Sequence, residues 1–267
     1  MSDAGPRSPV MAKPAATVVL LREGRLEGVE AYFMRRPAAS SFAPDAYVFP
    51  GGAVEPEDGD DGLLAGLVDF DVDERAARMG FDAGDDGRRQ CLAYHVAAVR
   101  ELFEETGLFL GTQRDATALG GDHATVVAAA RGELVSGGSL RQIIERSGLR
   151  LGLGQLVYAA HFVSPLDYPK RFDVRFFVAR CPGDQVAAVH APEAVEGGWH
   201  PPEAILSRHA QGELKLMPPT RVMCARIATA NDIEEVIDDL ATSPVEPPRR
   251  EPTTSADDRL DRHRRGR

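Results

Sequence analysis

One helical segment, residues 90–107, constrains this chain more than any other stretch of its sequence. Apolar residues recur there mostly three and four positions apart, which is the period of an amphipathic helix; they are Cys91, Val96, Val99, Leu102 and Phe103. Gly107 stands where the C-terminal cap of a helix is expected. Such a helix has to bury its apolar face against another layer, so the segment predicts a packed core around it.

The polar side of the same helix carries three carboxylates. Positions i, i+3 and i+4 share a helix face, so Glu101, Glu104 and Glu105 lie on one side of a single turn. Like charges at this spacing repel, and a hard divalent cation that prefers carboxylate oxygen relieves the repulsion. The residues alone leave two interpretations open, a metal site or a solvated acidic helix face.

Runs of Val, Leu, Phe and Tyr bounded by turn residues predict β-strands. They are expected at residues 15–21, 29–36, 47–49, 155–163, 172–179, 186–190 and 196–199. Amphipathic or proline-opened segments predict further helices at 125–135, 140–146, 201–209, 218–227 and 231–240. Helices and strands therefore both contribute to the fold.

Composition restricts the class of function. Lys and Arg number 31 against 41 Asp and Glu, a formal charge of −10, which disfavours general nucleic-acid binding because that binding depends on neutralising phosphates. No run of about 18 apolar residues predicts a membrane-spanning helix, and residues 1–14 lack the apolar core of a secretory signal. Three widely spaced cysteines fit reduced thiols in a cytoplasmic enzyme.

Charge and polarity also divide the chain. Residues 55–86 hold twelve acidic residues against two arginines, Arg75 and Arg78, so residues of about 59–88 are expected to form a solvated surface insertion with two short helices. The main domain is expected at 15–242, after a flexible N-terminus at 1–14. Residues 243–267 are almost without apolar side chains and predict a disordered tail.

A motif joins the glutamates to an upstream turn. Residues 100–108 read Arg-Glu-Leu-Phe-Glu-Glu-Thr-Gly-Leu, residues 49–52 read Phe-Pro-Gly-Gly, and Asp58 stands six residues after Gly52. Together they resemble the Nudix hydrolase signature, G-x5-E-x7-R-E-U-x-E-E-x-G-U, in which U is aliphatic. Asp58 replaces the usual glutamate, and the spacer of 41 residues (59–99) replaces seven. The two halves can still meet in space, because the cost of loop closure rises slowly with length.

A long insertion inside the signature is similar to one branch of this family, that of the mammalian peroxisomal coenzyme A diphosphatase and its bacterial relatives. Weaker matches to the branch lie at residues 171–173, 176–177, 193–199 and 216–220. The resemblance covers residues of about 15–227.

The resemblance implies a Nudix fold, an α/β (α+β) architecture with a mixed β-sheet sandwiched between α-helices, carrying the acidic insertion and extra helices. It implies hydrolysis of a nucleoside diphosphate linked to another moiety, with Mg²⁺ or Mn²⁺ as cofactor. Glu101, Glu104 and Glu105 match metal ligands, as does the carbonyl of Gly51, and Arg100 matches a residue that orients the glutamates. The branch implies coenzyme A or acyl-coenzyme A as substrate, giving adenosine 3′,5′-bisphosphate and (acyl-)4′-phosphopantetheine.

Several points stay open at this stage. The general base is a glutamate of the helix, Glu193 or Glu196. Four basic residues near predicted strand ends are candidates for binding substrate phosphates, with surface ion pairs as the alternative: Arg35, Arg36, Lys170 and Arg171. Alternative functions are a diphosphatase for ADP-ribose or NADH and a non-catalytic nucleotide-binding regulator. The expected partner is a small nucleotide rather than nucleic acid or membrane, and a homodimer is one of the open oligomeric states.

Overall fold

A computed structural model describes residues 10–24, 28–64, 69–113, 123–183, 185–190 and 194–248. Its strands are β1 (Lys13–Glu23), β2 (Val29–Arg35), β3 (Ala46–Val48), β4 (Gly51–Ala53), β5 (Gly111–Gln113), β6 (Leu149–Leu151), β7 (Val157–Val163), β8 (Phe172–Arg180), β9 (Glu196–His200) and β10 (Lys215–Leu216). Its helices are α1 (Asp61–Leu64), α2 (Val72–Arg78), α3 (Asp85–Thr106), α4 (His123–Val135), α5 (Leu140–Ser147), α6 (Pro202–Ala210), α7 (Pro218–Ile227) and α8 (Ile233–Thr242).

Strand β1 lies at the centre of the main sheet. One of its edges pairs in parallel with β8 from Lys13 to Leu21. The other edge pairs with β2 near Leu21 and with β4 near Ala16. Strands β1 and β2 therefore separate along their length, and the β3–β4 segment, which pairs with each of them in turn, occupies the space between them. Parallel and antiparallel pairs make this a mixed sheet.

Alternating side chains of β1 supply two cores on opposite faces of the sheet. Ala16, Val18 and Leu20 pack with α3, and this cluster is called the α3-side core. Val19 and Leu21 pack with α6, α7 and α8, and this cluster is called the α8-side core. A mixed sheet between two helical layers confirms the predicted architecture.

The acidic insertion is more closely attached to the domain than its composition predicts. Ala76 and Met79 are buried in the α3-side core. Arg75 binds the carbonyl oxygens of Gly154 and Leu156, and Arg78 binds those of Leu240 and Ser243. The expectation of a wholly solvated insertion is therefore wrong, because a few apolar and basic side chains fasten the segment to the sheet and helices.

Two further expectations need correction. The central helix begins at Asp85 rather than at residue 90, so it also spans part of the predicted insertion. The predicted strand at 186–190 does not form; its backbone N–H groups bond to the end of α3 instead. Four short strands, β4, β5, β6 and β10, have no predicted counterpart.

At the ends of the domain, β1 starts two residues before the predicted boundary, and Val245 packs partly against the α3-side core. Residues 1–9 and 249–267, which hold most of the predicted flexible ends, lie outside the described residues. Among the described helices, none combines the length and the apolar character needed to cross a membrane. The three cysteines are free thiols.

His95 of α3 is fully buried between two phenylalanine rings. Its ring lies 5.0 Å from that of Phe70 and 4.7 Å from that of Phe177. Nδ1 donates to the carbonyl oxygen of Cys91 (2.8 Å). Burial, reinforced by the charge of Arg75, lowers the pKa of His95 to about 3. The folded protein thus holds a neutral imidazole that the unfolded chain protonates below about pH 6.5.

We expect this imidazole to make the fold acid-sensitive. Between about pH 6.5 and pH 3 the unfolded chain binds a proton at His95 that the folded chain does not, so the free energy of unfolding falls as pH falls. The loss between pH 7 and pH 5 is about 2 kcal/mol. In His95→Phe this part of the loss disappears, as measured by urea unfolding at both pH values. An unchanged difference between the two pH values would contradict the assignment.

Candidate active site

A glycine turn brings the sheet close to the glutamates of α3. The backbone N–H of Gly51 donates to Oε2 of Glu105 (2.7 Å). A β-carbon on Gly52 would lie 2.5 Å from the carboxyl carbon of Glu101, and one on Gly51, where φ is +154°, would lie 2.7 Å from Cα of Thr17. Neither position has room for a side chain. The glycine pair is therefore what allows the turn to contact the helix so closely.

The guanidinium of Arg100 is the centre of the hydrogen-bond network. Its Nε and Nη2 donate to the two carboxylate oxygens of Asp58 (2.8 and 2.9 Å). Nη2 also donates to the carbonyl oxygen of Ala53 (2.8 Å), and Nη1 donates to Glu101 (2.9 Å) and Glu104 (3.4 Å). Burial lowers the pKa of this guanidinium, but the bonds and charges of its carboxylate partners outweigh burial and raise that pKa above its ordinary value.

Asp58 is the buried anchor of Arg100. It is 1% exposed and lies in a short 3-10 turn, Pro56–Gly59. Its Oδ2 also accepts from the backbone N–H of Glu55 (2.8 Å), which closes the turn. The two halves of the motif, 42 positions apart, are thus in direct contact.

The three glutamates of α3 lie close to the glycine turn, and each carboxylate already accepts a hydrogen bond. Glu101 and Glu104 share one nitrogen of Arg100, and Glu105, which is 6% exposed, accepts from Gly51. In the part of the chain that the structure describes, no three Asp, Glu, His or Cys side chains are arranged as a ready-made metal shell. The donor chemistry nevertheless fits a hard divalent ion, because carboxylate oxygens are grouped around the glycine turn.

The C-terminal end of α3 is held by a residue that sequence reasoning missed. Arg131 of α4 donates from Nε and Nη2 to the carbonyl oxygen of Glu104 (3.2 and 3.0 Å) and from Nη2 to that of Ala188 (2.6 Å). A cation there also complements the negative end of the helix dipole. The only sequence signal was a basic residue on a predicted helix, since its partners are backbone atoms distant in the chain.

The segment that follows β8 fastens to the same helix end. The N–H of Ala188 donates to the carbonyl oxygen of Thr106 (2.7 Å), and that of His190 donates to the carbonyl oxygen of Glu105 (2.8 Å). These bonds take the place of the predicted strand pairing. They fix the backbone at Glu105, whose carboxylate accepts from Gly51.

Of the two later glutamates predicted as candidate general bases, Glu196 is not brought to this cluster by any described contact. Glu196 pairs in register with Arg35 of β2. Arg35 and Phe33 share one strand face, which is the face of the α8-side core, so Glu196 lies on that face as well. Its carboxylate accepts from the hydroxyl of Tyr47. Burial and this hydrogen bond raise the pKa of Tyr47. Glu193 lies outside the described residues.

The four basic candidates have different partners. Arg35 forms an ion pair with Asp45 (2.7 Å). Arg171 donates to the carbonyl oxygens of Val10, Ser164 and Pro165. Arg36 donates to the carbonyl oxygen of Phe42, and Lys170 donates to the hydroxyl of Ser41.

A glutamate-bearing helix packed against a glycine turn, on a mixed sheet between helical layers, defines a Nudix-type hydrolase. Comparison with known proteins agrees: a model of the NUDT19 Nudix domain matches residues 12–227, and the chain belongs to that family. Enzymes of the Nudix class act on small nucleotides and generally use divalent metal ions.

Two relatives illustrate the match. The crystal structure of a NUDIX hydrolase from Alicyclobacillus acidocaldarius is 28% identical, with a TM-score of 0.68, over 88% of this chain and 99% of that one. "Putative nudix hydrolase 7" of Caenorhabditis elegans is 23% identical over 199 residues, which make up 74% of this chain. The match covers 56% of that curated relative, so the chain spans little more than half its length.

We expect Gly52→Ala to reduce activity without unfolding the protein. The new methyl group overlaps the end of a flexible side chain, so Glu101 is displaced while the backbone stays. We expect kcat/KM to fall at least about tenfold, which corresponds to about 1.4 kcal/mol, with little change in Tm. The matched control is Gly132→Ala in α4, where a β-carbon meets nothing within 4 Å. Equal activity in the two variants would refute the close contact.

Proposed function

We propose that this chain is a Mg²⁺- or Mn²⁺-dependent diphosphatase that hydrolyses a nucleoside diphosphate linked to another moiety. The observation that carries the proposal is the buried Arg100 network, which groups Glu101 and Glu104 beside the glycine turn that contacts Glu105. Keeping three carboxylates together is costly, and a binding module without catalysis gains nothing from it. This favours an enzyme over a nucleotide-binding regulator.

In the proposed mechanism, each residue of the cluster has a separate task. Glu101, Glu104 and Glu105, with the carbonyl oxygen of Gly51, would hold the cation. When bound there, a divalent ion would supply charge that neutralises the diphosphate and would lower the pKa of a bound water. Arg100 orients two of the carboxylates, and the N–H of Gly51 orients the third. A carboxylate of this cluster is our candidate proton acceptor, because Glu196 accepts from Tyr47 on the other face.

For the substrate, we propose coenzyme A or acyl-coenzyme A, with adenosine 3′,5′-bisphosphate and (acyl-)4′-phosphopantetheine as products. Support comes from the insertion inside the motif and from the branch matches along the chain. It also comes from basic residues near the start of β1, where a further phosphate could bind. ADP-ribose and NADH are the alternative substrates. We also propose a cytoplasmic location, in agreement with three free cysteines.

The test is product analysis by mass spectrometry. The protein is incubated with Mg²⁺ or Mn²⁺ and a mixture of coenzyme A, acetyl-coenzyme A, ADP-ribose and NADH. Formation of 4′-phosphopantetheine or its acetyl form, with the other two compounds intact, is the expected result. Cleavage of ADP-ribose or NADH alone would preserve the diphosphatase proposal and remove the coenzyme A proposal. Binding without turnover at saturating metal would favour the regulator.

We expect Glu105→Gln to abolish most of the hydrolysis. The fold should survive, because glutamine keeps an oxygen that can accept from the N–H of Gly51. The substitution removes the negative charge that would bind a divalent ion. We expect kcat/KM to fall at least about a hundredfold, or about 2.7 kcal/mol. The control is Glu145→Gln on α5, an exposed carboxylate paired with Arg141, which should keep full activity. Full metal-dependent activity in Glu105→Gln would show that the assignment is wrong.

A further inference from the structure

All the lysines of this chain lie at the same end of the main sheet. The sequence contains three, Lys13, Lys170 and Lys215. Lys170 donates to the hydroxyl of Ser41 (2.8 Å), in the loop between β2 and β3. Lys215 pairs in register with Ala46, where that loop ends. Lys13 begins β1, and its N–H donates to the carbonyl oxygen of Arg171, the neighbour of Lys170.

An arginine joins the lysines at the same loop. Arg36 donates from Nε to the carbonyl oxygen of Phe42 (3.2 Å), so Arg36 and Lys170 contact adjacent residues of the loop. Among the described contacts, neither cation is within ion-pair distance of a carboxylate. Arg35 and Arg171 are less available to bind an anion. Arg35 forms an ion pair with Asp45, and Arg171 donates to three backbone carbonyl oxygens.

The absence of described carboxylate partners distinguishes these cations from many other cations on the described surface. Many exposed arginines are paired with carboxylates there, including Arg88 with Asp73 and Arg208 with Glu213. In a protein with a net charge of −10, Lys13, Arg36 and Lys170 nevertheless lie at the same end of the sheet, and no described carboxylate pairs with them. The nearby Asp167, in the loop before Lys170, forms no described ion pair. We call Lys13, Arg36, Ser41 and Lys170 the lysine patch.

Apolar side chains border the lysine patch. The ring of Phe42 lies edge-on to that of Phe172 (5.1 Å). Met11 is 87% exposed, and Tyr168 is also exposed. A ligand at this place would therefore meet cations beside flat apolar surface, which suits a phosphorylated nucleoside better than a free inorganic ion.

The lysine patch begins close to the candidate active site. Lys13 stands two residues before Ala15, which pairs with Ala53, and the carbonyl oxygen of Ala53 accepts from Arg100. Strand spacing places Cα of Lys13 about 8 Å from Cα of Ala53. Lys13 shares its strand face with Val19 and Leu21, on the side of the sheet opposite α3. A substrate that uses both places therefore has to pass the end of β1, with its diphosphate at the glutamates and another group at the patch.

We propose that the lysine patch binds a second anionic group of the substrate, a phosphomonoester on the nucleoside, separate from the diphosphate that is cleaved. The proposal rests on the proposed function and makes it more specific. The glutamate cluster selects for a diphosphate, and the patch selects among diphosphates for one that carries a further phosphate. Arg36 and Lys170 supply the charge, and the hydroxyl of Ser41 supplies a neutral donor between them.

The kinetic test compares two substrates that differ only in this phosphate, coenzyme A and dephospho-coenzyme A. We expect the wild type to prefer coenzyme A by at least tenfold in kcat/KM. In Arg36→Gln/Lys170→Gln this preference should fall to less than threefold, because kcat/KM falls more for coenzyme A than for dephospho-coenzyme A. The control is Arg150→Gln on β6, an exposed arginine without a described ion pair, which should keep the wild-type preference. An unchanged preference in the double variant would overturn the proposal while leaving the diphosphatase intact.

A binding measurement keeps the proposal testable if neither compound is cleaved. Calorimetry without metal compares adenosine 3′,5′-bisphosphate with adenosine 5′-monophosphate on the wild type, the double variant and Arg150→Gln. We expect the wild type and Arg150→Gln to bind the bisphosphate more tightly than the monophosphate, and the double variant to lose this difference. That result supports phosphate binding at the lysine patch even if the proposed reaction is not observed. Equal affinity for both nucleotides, or equal affinity in all three proteins, overturns it.

Discussion

The buried guanidinium of Arg100 is the constraint on which the rest of the structure depends. At 9% exposure, its charge has to be met by partners inside the protein, and removing one partner of such a pair costs about 3–5 kcal/mol. Its partners come from three places: the turn at Asp58, the strand β4 at Ala53, and its own helix at Glu101 and Glu104. Helix, strand and turn can therefore satisfy this charge only together, and the glutamates are grouped as a consequence.

This dependence explains how the motif tolerates 41 residues between Asp58 and Arg100. The entropic cost of closing a loop rises only slowly with its length. The stabilisation from the buried pair of Asp58 and Arg100 does not depend on that length. The inserted residues also contribute contacts of their own, since Ala76 and Met79 pack in the α3-side core and Arg75 binds two distant carbonyl groups. The insertion therefore extends the helical layer that supports α3 instead of separating the turn from the helix.

The parts of the site that the sequence predicts are those carried by local periodicity. The spacing of Glu101, Glu104 and Glu105 defines a helix face, and the strand patterns lead to a mixed sheet between helices. The parts it does not predict depend on contacts between distant segments. Arg131 acts on backbone atoms that no pattern marks, and residues 186–190 read as a strand although the end of α3 offers their N–H groups better partners. Which face of the sheet Glu196 occupies follows from its register with β2, which spacing alone does not supply.

Electrostatics links the two ends of the proposed substrate site. A protein with a charge of −10 repels a polyanionic nucleotide at long range, so binding requires local positive charge where the anions are to lie. At the glutamates, we propose that this charge comes from a metal cation, because Arg100 is already engaged by Asp58, Glu101 and Glu104. At the lysine patch, it comes from Arg36 and Lys170, which have no described carboxylate partner. In our proposals, the chain holds a diphosphate through a metal ion and a phosphomonoester through side chains. The discrimination between nucleotides would then lie in the second contact, outside the signature that defines the family.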